Sequence, residues 1–254
     1  MSKSKKKEYI PKRAMTIQAH PDDQEFGIAG TLARWAKAGC EITCVVITSG
    51  DSGSNNPEHG ADYKATLASI REAEQTAAND VIGIRNTVFM RYPDGELEPT
   101  VALRRELTKL IRREKPDVVV AGNPEAFFYG SEYINHPDHR AAARAACEAV
   151  FPSAGSRLMF ADLLAEGFEP HNVKRLYIHG TEKEDTWVDI TDTIDIKIAA
   201  LRKHVSQLGD WDVDKAMREW ASGTAKNAKK KKMEYAEAYK VMILGQDEQE
   251  QEEK

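Results

Sequence analysis

The sequence predicts an α/β protein with a mostly parallel sheet. Strand-like runs alternate with helix-like periods along most of the 254 residues. Ile42 to Thr48 (Ile-Thr-Cys-Val-Val-Ile-Thr) and Asp117 to Ala121 are β-branched and Val-rich, as strands covered on both faces are. Two stretches without periodicity, Ser49 to Asn56 and Asn123 to Asn135, follow these runs as loops.

Taken in order, Met15 to Ala19 reads as a first strand. Gly27 to Ala38 reads as a helix with Ile28, Leu32 and Trp35 on one face. Ile42 to Thr48 is the second strand. Tyr63 to Asn79 is a helix, Thr87 to Met90 a short strand, and Val101 to Arg113 a helix that ends before Lys115-Pro116. Asp117 to Ala121 is the next strand. From His136 the Ala-rich run Arg140 to Ala146 predicts a helix. Strands follow at Arg175 to Ile178 and Trp187 to Ile190. Helices are then expected near Thr193 to Leu208 and Trp211 to Ala221, with a last one over about Lys231 to Ile243. Beyond Gly245 the chain is nearly all Gln, Glu and Asp, so residues 246–254 are expected to be a disordered acidic tail. No repeat or composition shift marks a second domain, and residues 1–245 are read as one.

Composition narrows the function classes. Hydrophobic residues make up 41% and charged residues 30%, as in an ordinary globular protein. The net charge of −5 gives no push toward nucleic acid. The lysine runs, Lys3 with Lys5 to Lys7 and Lys229 to Lys232, have no interleaved aromatics and read as solvated surface. No signal peptide or membrane-spanning stretch is evident. Cys40, Cys44 and Cys147 form no Cys-x-x-Cys motif and read as buried free thiols, which suit a reducing, cytoplasmic setting.

The chemistry concentrates in two distant motifs, His20-Pro21-Asp22-Asp23 and His136-Pro137-Asp138-His139. Parallel sheets bind ligands outside the carboxyl ends of their strands, where both motifs and both long loops fall. In the first motif one Asp can join His20 on a metal while the other faces the open coordination position. An N-cap would explain one carboxylate, but not two beside a histidine. In the second, His136 and His139 lie three apart at a helix start, with Pro137 suited to the first turn. Two imidazoles and a carboxylate suit Zn²⁺ with a water, and they would also accept Fe²⁺ or another first-row ion. A second carboxylate as base and an imidazolium beside the oxyanion complete a set for amide hydrolysis.

These residues resemble the PIG-L/LmbE-like family of zinc-dependent N-acetylglucosaminyl deacetylases. Gly30-Thr31, Arg71 with Glu74, Ile82-Gly83, Asp94-Gly95, and His204 with Ser206-Gln207 near Tyr235 to Tyr239 support the likeness. The resemblance implies a Rossmann-like three-layer α/β sandwich. It implies that His20, Asp23 and His139 bind zinc, that Asp22 is the base, that His136 stabilises the tetrahedral intermediate and that Asp138 orients it. It further implies removal of an N-acetyl group from an N-acetylglucosamine-like small molecule by zinc-bound water, and homo-oligomers of three or six copies. Gln24 stands where many members have Glu, a departure tolerated in the bacillithiol-biosynthesis branch.

Some readings stay open at this level. Arg71 and Asp94 bind substrate on the family reading, or form a helix ion pair with Glu74 and a turn with Gly95 on the plain one. His204 is expected on a helix surface and His59 in solvent. An amidase acting on a larger acyl or thiol conjugate of an amino sugar needs the same site. A nucleotide-binding module would need a phosphate-cradling turn that Gly27 and Gly30 do not form.

Overall fold

A computed structural model describes residues 9–228 and 232–245. The elements run β1 (Arg13–Gln18), α1 (Asp23–Gly27), α2 (Ala29–Lys37), β2 (Glu41–Thr48), α3 (Lys64–Ile82), β3 (Asn86–Tyr92), α4 (Val101–Glu114) and β4 (Val118–Ala121). A small hairpin of β5 (Phe128–Tyr129) and β6 (Tyr133–Ile134) precedes α5 (Pro137–Glu148). Then come α6 (Asp162–Ala165), β7 (Arg175–Ile178), β8 (Thr186–Asp189), α7 (Ile194–Leu201), α8 (Val205–Leu208), α9 (Val213–Asn227) and β9 (Ala236–Ile243).

Seven strands form one sheet in the order β3-β2-β1-β4-β7-β9-β8. The pairs from β3 to β7 are parallel, and β9 is antiparallel to both its neighbours. Alternation along each strand splits the core into two layers. Ala14, Ile42, Cys44, Val46, Val118 and Val120 face the layer that holds α2, α7 and α9. Met15, Ile17, Val45, Ile47, Val119 and Ala121 face the layer of α4 and α5. The α/β sandwich with a mostly parallel sheet is therefore observed. Among the described residues, no helix is long and apolar enough to cross a membrane. Residues 246–254 and Lys229 to Lys231 lie outside the described residues.

Several expected elements differ. The helix expected over about Lys231 to Ile243 is the strand β9. Its Ala, Glu, Lys and Met favour helix, but the gap between β7 and β8 offers ladders on both edges, and tertiary pairing overrides propensity. The first helix is broken at Ile28, whose φ of −140° leaves helical space. The break lets Gly30 N–H and Thr31 N–H donate to the Glu237 carboxylate of β9 at 3.0 and 2.7 Å. Glu237 also pairs with Lys197 at 2.6 Å, and both are buried. A side-chain anion thus fills the helix N-terminus that would otherwise receive a phosphate. The helix expected near Thr193 to Leu208 ends at Leu201 and resumes at Val205, which turns His204 inward.

Candidate metal centre and active site

Strand register sets the site. Ile17 of β1 pairs with Ala121 of β4, and Ala121 with Ile178 of β7. Gln18, Gly122 and His179 therefore continue one level, and His20 follows two residues beyond the end of β1 on the same sheet edge, at the switch point between β1 and β4. Pro137 opens α5, and the His136 side chain accepts the Asp138 N–H as its N-cap, so α5 starts with its first turn facing β1.

The two distant motifs meet. His20 Nδ1 lies 3.2 Å from His139 Nε2 and 3.6 Å from Asp23 Oδ2, and His139 Nε2 lies 3.0 Å from Asp23 Oδ1. Ligands about 2.1 Å from a tetrahedral zinc stand about 3.4 Å apart, so the triangle has the size of one face of such a site. His20, Asp23 and His139 thus fit a divalent ion. The donors behind them fit it too. His20 Nε2 faces Asp94 Oδ1 at 2.9 Å and Asp138 Oδ2 at 3.3 Å, and His139 Nδ1 faces Asn135 Oδ1 at 3.2 Å. Carboxylates and an amide oxygen on the far nitrogens direct the other nitrogen of each ring toward a metal.

Electrostatics agree with this arrangement. Burial alone would lower the pKa of His20, but hydrogen bonds to the carboxylates of Asp138, Asp23 and Asp94 push it up to about 12. Burial would raise Asp23, yet His139 and His20 hold it well below the usual carboxylate range. His139 is raised because Asp23 outweighs burial. Burial would likewise raise Asp94, but His20 brings it down to about 2.

Asp22 sits apart from the triangle. It is buried and left-handed (φ 89°), a conformation that strains any residue but glycine. Gln75 Oε1 accepts its N–H at 2.9 Å, and Arg71 Nη2 donates to its Oδ2 at 3.1 Å and to Pro21 O at 2.8 Å. Arg71 Nη1 reaches Gly50 O at 2.9 Å. A Cβ at Gly50 (φ +64°) or at Gly53 would overlap that guanidinium. Burial raises the Asp22 pKa to about 7, against the pull of Arg71.

Some of the other residues singled out in sequence have partners that differ from those expected. Arg71 is not paired with Glu74, which instead accepts Ser206 N–H and Oγ–H at 2.7 Å each. Asp94 engages His20 and the Ser52 N–H. The Asp138 carboxylate does not orient His136. It faces His20 and accepts Gly95 N–H and Leu97 N–H at 2.8 and 3.2 Å, because α5 aims it toward β1. His204 is fully buried, not on a surface, with Nε2 3.3 Å from Glu25 Oε2. His59 stacks on Tyr63 at 3.6 Å and so is only partly solvated. Cys40 and Cys44 are buried free thiols, while Cys147 is half-buried.

Sequence reasoning missed three groups here. Gln75 carries no local signal. Asn135 directly precedes the second motif. His179 directly follows a predicted strand, the position where this sheet places ligands. Its Nε2 lies 3.1 Å from Gln18 Oε1 and burial depresses its pKa to about 4, so it lines the cavity uncharged.

Residues 15–150 match the family model PIG-L, described as GlcNAc-PI de-N-acetylase. The chain belongs to this family. Over 204 residues it is 29% identical to the diacetylchitobiose deacetylase of Thermococcus kodakarensis, covering 80% of this chain and 73% of that one. Over 222 residues it is 28% identical to the probable N-acetyl-alpha-D-glucosaminyl L-malate deacetylase 2 of Bacillus anthracis, covering 84% and 88%. Among solved structures, the N,N'-diacetylchitobiose deacetylase of Pyrococcus horikoshii, complexed with its inhibitor MPG, superposes with a TM-score of 0.82. It is 29% identical and covers 92% of this chain and 84% of that one. The PIG-L membership agrees with the likeness drawn from the two motifs.

Proposed function

We infer that this protein is a metal-dependent hydrolase that removes the N-acetyl group from an N-acetylglucosamine-like small molecule. The observation that carries this is the closure of the His20–Asp23–His139 triangle next to the separate, buried carboxylate of Asp22. A divalent ion held by that triangle, zinc by its two-imidazole, one-carboxylate donor set, would polarise the amide carbonyl and make a water acidic near neutral pH.

The chain's own residues do the rest. Asp22 takes a proton from the attacking water as its oxygen bonds to the acyl carbon. A carboxyl group with a pKa of about 7 is matched to that task at neutral pH. His136 Nδ1 accepts the Asp138 N–H at 3.2 Å, and burial lowers its pKa. In place of the imidazolium expected from the sequence, the ring is neutral, carries its proton on Nε2 and donates it as a hydrogen bond to the developing oxyanion. Asp22 then returns its proton to the nitrogen as the C–N bond breaks, releasing acetate and a free amine. Asp94 and Asp138 act through His20 by fixing its ring, and Arg71 acts through Asp22.

Metal analysis of the untagged chain, followed by acetate and amine release from N-acetylglucosamine and its glycosides, tests the reading. Metal at one ion per chain with acetate release supports it. A metal-replete chain that releases no acetate from any of them would falsify it.

A further inference from the structure

Arg71, Gln75 and Asn79 recur every fourth residue along α3 and so share one face of it. All three are buried, and buried polar groups must find partners. Arg71 serves the Asp22 carboxylate. Gln75 and Asn79 belong to a second set of contacts, to which the catalytic steps give no role.

Gln75 holds Asp22 by its backbone, since Asp22 N–H donates to Gln75 Oε1 at 2.9 Å. Gln75 Nε2 donates in turn to Glu25 Oε1 at 3.0 Å and to Asn79 Oδ1 at 3.3 Å. Gln24 Nε2 donates to the same two oxygens at 2.7 and 2.6 Å. Asn79 Nδ2 then donates to Thr87 Oγ1 of β3 at 2.9 Å. On the far side, Glu25 Oε2 lies 3.3 Å from His204 Nε2. Gln24, Glu25 and His204 are buried as well. The direction of each amide is forced. A backbone N–H only donates, so the Asp22 end of Gln75 must be its oxygen, and a carboxylate oxygen only accepts, so the Glu25 end must be its nitrogen. Turning the Gln75 amide over would set donor against donor and oxygen against oxygen. Residue 24 must also donate, which Gln does and an ionised Glu does not.

Asp22 needs this support. A residue with a side chain keeps a φ of 89° only where its surroundings over-determine it. Its C=O accepts Glu25 N–H and Phe26 N–H at 2.9 and 3.1 Å, Arg71 fixes its carboxylate, and Gln75 fixes its N–H. We propose that Gln75 is a positioning residue for the base. The amides of Gln24, Gln75 and Asn79 hold the left-handed turn at Asp22, and so hold its side chain at the cavity wall beside the metal ligands. This rests on the deacetylase reading and adds a residue to it.

The test is a double-mutant cycle on the zinc-loaded full chain, assayed by acetate release from N-acetylglucosamine and its glycosides. Gln75→Leu is expected to lower kcat about 10- to 100-fold, the size of a small displacement of a catalytic group, with KM and zinc content unchanged. In an Asp22→Asn background the same change is expected to have no further effect on kcat, because Gln75 acts only through Asp22. A merely structural Gln75 would lower Tm with kcat unchanged, or the two losses would multiply, and either result overturns the proposal. Should Gln75→Leu not fold, Asn79→Ala loosens Gln75 without touching Asp22 and enters the same cycle. Failure of both to fold would assign the amides to stability alone and overturn the proposal too. Amide exchange separates the two levels of inference. If the wild type releases no acetate, the deacetylase reading falls, and exchange of the Asp22 amide proton alone decides the positioning. Slow exchange that quickens in Asn79→Ala supports it, and equal rates overturn it.

Discussion

Asp22 and His139 do different work at nearly the same place, and substitution separates them. Asp22→Asn is expected to retain metal and lose about 10²- to 10⁴-fold in kcat, the usual worth of a general base. His139→Ala is expected to lose the metal itself, since it removes one vertex of the triangle. Metal content measured beside kcat distinguishes the two. Arg71 holds Asp22 from outside the triangle and lowers its pKa. Replacing it with Gln removes a cation that favours the carboxylate, so Asp22 ionises only at higher pH. The acid limb of kcat/KM should move upward, and an unmoved limb would argue against Asp22 as the base. The two four-residue motifs were legible because rigid prolines and paired ligands sit within each. The link from Asp22 to Gln75 and Arg71 was not, because those partners lie 53 and 49 residues away and no local pattern announces them.

At the scale of elements, the strands with Val and Ile runs were readable because parallel strands bury both faces. The terminal strand β9 was not. Its residues are helix formers, and only the vacancy between β7 and β8 makes them a strand. The break at Ile28 was also invisible, since the apolar spacing of Ile28, Leu32 and Trp35 continues through it. Both features meet at Glu237. Glu237→Ala leaves Lys197 buried without its partner and the α2 N-terminus without its acceptor. Breaking a buried pair this way typically costs about 3–5 kcal/mol, or a fall in Tm of about 6–20 °C for a chain of this size. Replacing both partners, Lys197→Met with Glu237→Leu, should cost less than the single change. Thermal unfolding of the three variants checks this order.

For the whole molecule, the metal ligands join the segment after β1 to the start of α5, beside the His20–Asp138 contact and the packing of one core layer. Binding an ion to the folded state alone stabilises it by about 2.7 kcal/mol at a free concentration 100 times Kd. Chelation should therefore lower Tm, and zinc should restore it. Metal uptake should also release protons. The hydrogen bonds and charges of its carboxylate partners hold His20 protonated up to about 12, and His139 is raised too. An ion must displace whatever protons these rings carry at neutral pH. Titration calorimetry in buffers of different ionisation heat measures that number, and a value of zero would contradict the ligand assignment.

The Glu237 carboxylate also bears on how the molecule is made. It lies 207 residues beyond Gly30, whose N–H it accepts, yet it completes a helix that begins at Ala29. During synthesis, the first two helices and the central strands emerge long before their stabilising anion exists. A ribosome-bound chain stopped before β9 should thus expose the α2 N-terminus to solvent and remain sensitive to protease. Resistance should come only once β9 has emerged, so the α2 terminus is completed after β1 to β8 have been made.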